Sequence, residues 1–202
     1  QRFEINVTGK QTHGSLPWGG IDPIMASVKI IDGLQTLVSR EADLTNEAVV
    51  ISVGKITSGV RSNIIPESAQ IIGTIRTLDY DMQQQINDRI REMVPAIAKA
   101  YRADATVQID EGPEITYNDP ALTKQIVPSF EKAAGKENVL KIKAITGAED
   151  FSFMLQQKAG AYIWLGAGTD SEFLHSPHFD FNDDLLPIGA SLWVKLVEAK
   201  LA

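Results

Sequence analysis

Phe3-Glu4-Ile5-Asn6-Val7 alternates apolar with polar side chains, the period-two pattern of a strand with one buried face, and Gly9 punctuates its end. A loop rich in Gly and Pro follows. Asp22-Pro23 then supplies a side-chain cap and a proline preset for a first helical turn, and Ile24, Val28, Ile31 and Leu34 recur at helical spacing. Residues 22 to 39 are therefore predicted to form an amphipathic helix. Val49, Ile51 and Val53 alternate again, Ser58-Gly59 breaks the run, and Gln70 to Leu78 reads as a third strand. Asp79 can cap a second helix that keeps Ile86, Ile90, Val94 and Ile97 on one face and tolerates Pro95 late in its length. Thr106 to Ile109 closes the series. The order β-α-β-β-α-β predicts a ferredoxin-like arrangement, a four-stranded antiparallel sheet with both helices on one face, ending at the turn signal Glu111-Gly112-Pro113.

Beyond Asp119-Pro120, a second capped start, the pattern becomes helix, short strand (Lys141 to Ile145), helix (Glu149 to Gln156), strand (Ala161 to Leu165), long loop and a final helix from about Leu185. This is α/β alternation with too few strands. Two strands alone would leave the helices poorly covered, so the region reads as part of a larger α/β domain. The predicted organisation is an α+β unit at residues 1–113 followed by an incomplete α/β unit at residues 114–202.

With 202 residues, 44% of them hydrophobic, the chain can bury one large core or two modest ones. A net charge of -7, without a Lys/Arg stripe interleaved with aromatics, argues against nucleic acid and against anionic membranes as partners. The absence of cysteine removes disulfides, thiolate nucleophiles and thiolate ligands together, so any metal would sit on histidine nitrogen and carboxylate oxygen. No apolar run approaches the roughly 20 residues of a membrane span, and nothing resembles a signal peptide. A cytoplasmic location is the expectation, although the chain starts at Gln1 and runs straight into a strand, as a segment of a longer protein would.

The three histidines all fall in Gly- or Pro-rich loops after strands: His13, His175 and His178. Each taken singly reads more readily as a solvated surface residue than as a site, but His175 and His178 sit beside Asp180, Asp183 and Asp184, a mixture of imidazole and carboxylate that suits zinc or a similar cation. An acidic loop of this kind also serves to cap a helix. Glu149-Asp150 is open in the same way: both carboxylates suit a helix start, and either could orient a ligand or hold a substrate group. Arg76, flanked by Ile75 in an apolar strand, should reach a carboxylate of the protein or of a ligand, while Asn63 lies in the turn thirteen positions earlier. A turn-stabilising Asn63 and a surface ion pair at Arg76 are the structural alternative.

Taken together, four motifs in order resemble the co-catalytic zinc aminoacylases and carboxypeptidases, most closely the amidohydrolase subgroup of hippurate hydrolase and the auxin-conjugate hydrolases. They are Gly9-Lys10 with His13, Pro17 and Asp22-Pro23-Ile24; Asn63 to Pro66 with Gly73 to Arg76; residues 147 to 151; and residues 175 to 179. The resemblance spans nearly all of the chain and implies that residues 1–113 are a dimerisation lid and residues 114–202 the C-terminal part of the catalytic domain of a zinc hydrolase. By the same resemblance His175 is a metal ligand, His13 reaches across a homodimer to polarise the scissile carbonyl, and Asn63 and Arg76 hold the substrate carboxylate. Glu149 contacts substrate or supports the metal site, and His178, which the family's loop does not require, is a bystander.

The implied cofactor is a pair of divalent ions, zinc first, with manganese, cobalt or nickel as alternatives, and the implied substrates are N-acyl amino acids or dipeptides. The family's general base and remaining ligands have no counterpart in these residues, so the segment alone is expected to be inactive. A different class, a dimerising or binding module derived from such an enzyme, is the competing reading; retention of His13, Asn63, Arg76 and His175 favours the enzyme. The strand at residues 48 to 57 is the candidate dimer edge.

Overall fold

A computed structural model describes residues 1–110, 112 and 114–201, which divide into two compact units, residues 1–115 with 146–148 and residues 116–145 with 149–201. The first unit contains β1 (Arg2–Thr8), a two-residue β2 (Thr12–His13), α1 (Pro23–Thr36), β3 (Val49–Ser58), a two-residue β4 (Ile64–Ile65), β5 (Ser68–Thr77), α2 (Tyr80–Ala100) and β6 (Asp104–Asp110). Its main sheet has the order β3-β5-β1-β6 with every neighbour antiparallel. This is the ferredoxin-like order that the sequence predicts. The predicted boundary at Glu111-Gly112-Pro113 falls where Glu111 and Pro113 lie outside the described residues.

Both helices begin where the caps were read. The Asp22 carboxylate accepts from the amides of Ile24 and Met25, and that of Asp79 accepts from Met82 at 2.8 Å. The predicted helix at 22–39 ends its α-helical part at Thr36 and widens into a π turn over Leu37–Glu41. Pro95 stays inside a continuous α2.

One face of the sheet carries the core. Phe3, Ile5 and Val7 of β1 stand beside Gly73, Ile71 and Ala69 of β5, with Val49 and Ile51 of β3 and Val107 and Ile109 of β6 on the same side. Ala26, Ile30 and Leu34 of α1 and Ile86, Ile90 and Val94 of α2 close over them, all fully buried. Burying side chains of this size contributes about 1.5–3 kcal/mol each before conformational entropy is counted. Gly73 is required at its position, because a Cβ there would lie 2.3 Å from the Phe3 ring and 2.3 Å from the Ser52 carbonyl oxygen.

The other face is polar. Arg2 bonds both Asp110 (3.0 Å) and Glu4 (2.7 Å), and Glu4 also accepts from Asn6 and Gln70. These partners, Arg2 first, hold the Glu4 carboxyl below its ordinary value.

The second unit holds α3 (Pro120–Ala134), α4 (Phe151–Gln157) and α5 (Leu185–Leu201). Asp119 caps α3 through Leu122 N–H at 2.8 Å. The strands predicted at Lys141–Ile145 and Ala161–Leu165 do not form, because a strand exists only with a hydrogen-bonded neighbour and this unit offers none among the described residues. In place of a ladder, the Asn118 carboxamide accepts from Tyr162 N–H at 2.7 Å and donates to Tyr162 C=O at 2.8 Å. No helix among the described residues is long and apolar enough to cross a membrane.

Gly73→Ala is expected to destabilise the intact protein by about 1–3 kcal/mol, read as a lower urea midpoint, since neither Phe3 nor the β3 backbone has room to retreat. A second expectation concerns acid. A carboxylate held below its ordinary value of 4.5 favours the folded state above that pH, and the contribution is lost as the pH falls through the depressed folded value. Stability should therefore decline as acid is added below 4.5, and Glu4→Gln should flatten that slope in pH-resolved urea melts.

Candidate functional site

The loop after β1 is folded onto β5 by backbone bonds. Gly9 N–H donates to Glu67 C=O at 2.7 Å, and Lys10 and Ile21 exchange bonds of 2.8 and 3.0 Å. Gly9 is needed because a Cβ would meet the Ile21 carbonyl oxygen at 2.2 Å, and Gly20 because a Cβ would meet Thr12 at 2.5 Å. Within this frame β2 pairs with β4, placing His13 opposite Ile64, and Gly14 N–H donates to Asn63 C=O at 2.8 Å. Two site residues fifty positions apart in sequence are thereby neighbours.

His13 is exposed and its turn is closed by Leu16 N–H donating to His13 C=O at 2.8 Å. Nδ1 of His13 accepts the Ser15 amide at 3.2 Å and lies 2.7 Å from the Ser15 hydroxyl. Ser15 does not figure among the residues singled out by sequence; its only signal is its place two residues after a histidine in a tight loop.

Arg76 lies elsewhere. It stands opposite Val50 near the far end of β5, eight residues beyond Ser68, where the His13 loop attaches. At 3.3 Å per residue that is about 26 Å along the strand. Of the two partners open to its guanidinium, a protein carboxylate is absent among the described residues. Within one chain, Asn63 and Arg76 therefore lie toward opposite ends of β5.

In the second unit Asp150 occupies the cap position of α4 with φ -65° and ψ -22°, already helical, and its side chain makes no capping bond. The carboxylate of Glu149 instead lies close enough to the Tyr162 hydroxyl to favour its protonated form. Tyr162 packs on Phe151 (ring centroids 5.6 Å) and edge-on to Trp164 (5.4 Å). Burial first, and then the Glu149 carboxylate, raise the Tyr162 hydroxyl above its ordinary value. The reading of Ala161–Leu165 as a strand takes in Tyr162 and gives no sign of this pairing.

His175 is exposed and adopts φ +70°, a left-handed conformation unusual outside glycine, in a turn closed by Ser176 N–H to Phe173 C=O at 3.0 Å. The neighbouring acids do not gather around it: among the described residues no group of three or more His, Asp or Glu could hold a metal ion. His175, His178, Asp180, Asp183 and Asp184 therefore do not fit a metal centre of their own, and the mixed cluster read from the sequence is a linear neighbourhood only. Nor does an aspartate side chain take the first amide before α5; Asn182 does, accepting Asp184 N–H at 3.0 Å.

A four-stranded layer carrying a histidine loop, followed in the chain by a unit with helices and no strand among its described residues, has counterparts among solved structures. The Bacillus subtilis YXEP protein, described as a dinuclear metal-binding peptidase, superposes with a TM-score of 0.69 at 26% identity, over 96% of this chain and 48% of that one. An IAA-amino acid hydrolase of Arabidopsis thaliana is 37% identical over 94% of this chain and 45% of its own length. An N-acetyldiaminopimelate deacetylase of a Geobacillus species is 34% identical over 97% and 51%. The model of peptidase family M20/M25/M40 matches residues 12–199, and the chain belongs to that family. It spans about half the length of these relatives.

Proposed function

We propose that this chain is the lid and C-terminal part of a metal-dependent amidohydrolase that removes the acyl group from N-acyl amino acids or cleaves similar carboxylate-bearing amides. Residues 1–113 serve as the dimerisation lid and residues 114–202 as the C-terminal part of the catalytic domain. Family membership supports amide hydrolysis, and two relatives carry names that share an amino acid bearing a removable group.

The observation that carries the division of labour is the placement of His13 and Asn63 at one end of β5 and Arg76 at the other. A substrate only a few ångströms long cannot touch both ends of one lid. One active site would therefore take Arg76 from one protomer and His13 with Asn63 from its partner. His13 would donate a hydrogen bond to the scissile carbonyl oxygen, Arg76 would hold the carboxylate, and Asn63 would contact the substrate beside His13.

The homodimer this requires is best served by β3, an edge strand of the lid sheet, together with the exposed Met25 and Val28 of α1. In the second unit, Leu122, Ile126, Ile163, Leu165 and Trp193 line an apolar groove of about 430 Å³. That surface and the unformed strands suit a unit completed by further sheet from a longer polypeptide. His175 would contribute one ligand to two divalent ions, zinc foremost, whose other ligands and general base lie in that remainder. Glu149, held by Tyr162, would face the substrate side of the same centre.

Mixing variants of the intact protein tests this. His13→Ala and Arg76→Ala should each lose activity by about a hundredfold or more. Equimolar mixtures after subunit exchange should regain roughly a quarter of the wild-type rate, because about half the dimers are mixed and each restores one of two sites. A mixture of His13→Ala with Asn63→Ala should regain nothing, since both lesions fall in one half-site. Recovery in the second mixture, or a monomer in light scattering, would overturn the divided site. Separately, His175→Ala should leave the purified intact protein with less bound metal than wild type, measured by elemental analysis, and unchanged metal content would remove His175 from the ligand set.

A further inference from the structure

We propose that Ser15 is a positioning residue for His13, setting both the tautomer and the direction of its ring so that Nε2–H points outward at a substrate carbonyl oxygen. The proposal rests on the reading of His13 given above.

The argument starts from the donors. The Ser15 hydroxyl, 2.7 Å from His13 Nδ1, can give or accept a proton. The Ser15 backbone amide, 3.2 Å from the same nitrogen, can only give one. Nδ1 is therefore an acceptor, the neutral ring carries its proton on Nε2, and the hydroxyl must also donate. A ring with the opposite tautomer would set an N–H against the amide N–H.

The backbone makes this arrangement stiff. Leu16 N–H to His13 C=O closes the turn and brings Ser15 back over the ring, Thr12 Oγ1 donates to Leu16 C=O at 3.2 Å, and Gly14 N–H is tied to Asn63 C=O. A Cβ at position 14 would lie 3.1 Å from that carbonyl oxygen, so glycine allows the turn to lie flat on the Asn63 backbone. With Nδ1 engaged inside the turn and the side chain otherwise exposed, Nε2 is the only ring nitrogen free to meet a substrate. A carbonyl oxygen that gains negative charge during amide cleavage needs a donor already aimed at it, and a ring free to rotate or to switch tautomer would present an acceptor part of the time.

The experiment uses the intact protein with ¹⁵N-labelled histidine, His13 being assigned by its loss in His13→Ala. Wild type should show a pyridine-type, hydrogen-bonded Nδ1 and a pyrrole-type Nε2. Ser15→Ala should shift Nδ1 toward the value of an unbonded ring nitrogen and lower kcat about fivefold with KM within twofold, and Ser15→Thr should restore both. In the His13→Ala background Ser15→Ala should change nothing further. A pyrrole-type Nδ1 in wild type, no rescue by threonine, or an undiminished Ser15→Ala effect in the His13→Ala background would overturn the role of Ser15 while leaving that of His13 intact. Wild-type activity in His13→Ala would instead remove the reading of His13 on which the role of Ser15 depends.

Discussion

The antiparallel register between β1 and β5 governs the rest of this structure. Seven consecutive pairs, from Arg2 opposite Thr74 to Thr8 opposite Ser68, sort every side chain of the two central strands to one face or the other. A slip of β1 by one residue would drive Glu4 and Asn6 into the helices and expose Phe3, Ile5 and Val7, so the burial of the apolar set enforces the register strongly. The same register decides which ends meet. It carries the chain out of β1 into the His13 loop at the Ser68 end of β5, and it leaves Arg76 at the end where β1 begins. Core packing and site geometry follow from one pairing.

Much of the first unit was legible because its signals are local and agree with one another. Alternation gave the strands, and Asp22, Asp79 and Asp119 were read as caps and act as caps. The second unit was less legible for a physical reason. Apolar segments such as Ala161–Leu165 report a tendency to be buried, whereas a strand also needs a neighbour to satisfy its backbone, and Tyr162 finds one only in the side chain of Asn118. Asp150 shows the limit of cap signals. A capping residue must be extended so that its side chain can reach back to the first amides, and Asp150 is already in the helical conformation.

Sequence spacing is a poor guide to neighbourhood among the candidate site residues. Asn63 and Arg76 are only thirteen residues apart, yet most of the ten-residue β5 runs between them and sets them toward opposite ends of that strand. His13 and Asn63 look unrelated and are joined by a two-residue ladder. A strand moves the chain about 3.3 Å per residue, roughly twice the advance of a helix, so modest sequence distances across a strand become large ones in space. Which residues can act together depends on the element between them.

That separation bears on how activity would be controlled. If His13 and Arg76 serve one substrate only when they come from two chains, a lone protomer has no complete site, and the active fraction follows mass action on the dimer. The lid already has the features such an interface needs. β3 leaves a backbone edge unpaired among the described residues, and α1 exposes Met25 and Val28. The bulge between Val53 and Lys55 interrupts β3's pairing with β5 midway along the strand. A bulge sharpens local twist, so edge pairing with a second copy would be favoured along the straighter residues on one side of it. Such a limit on register would matter for chemistry, since sliding one lid past the other by a single strand residue would move His13 by about 3.3 Å, enough to break its hydrogen bond to a carbonyl held by the opposite protomer.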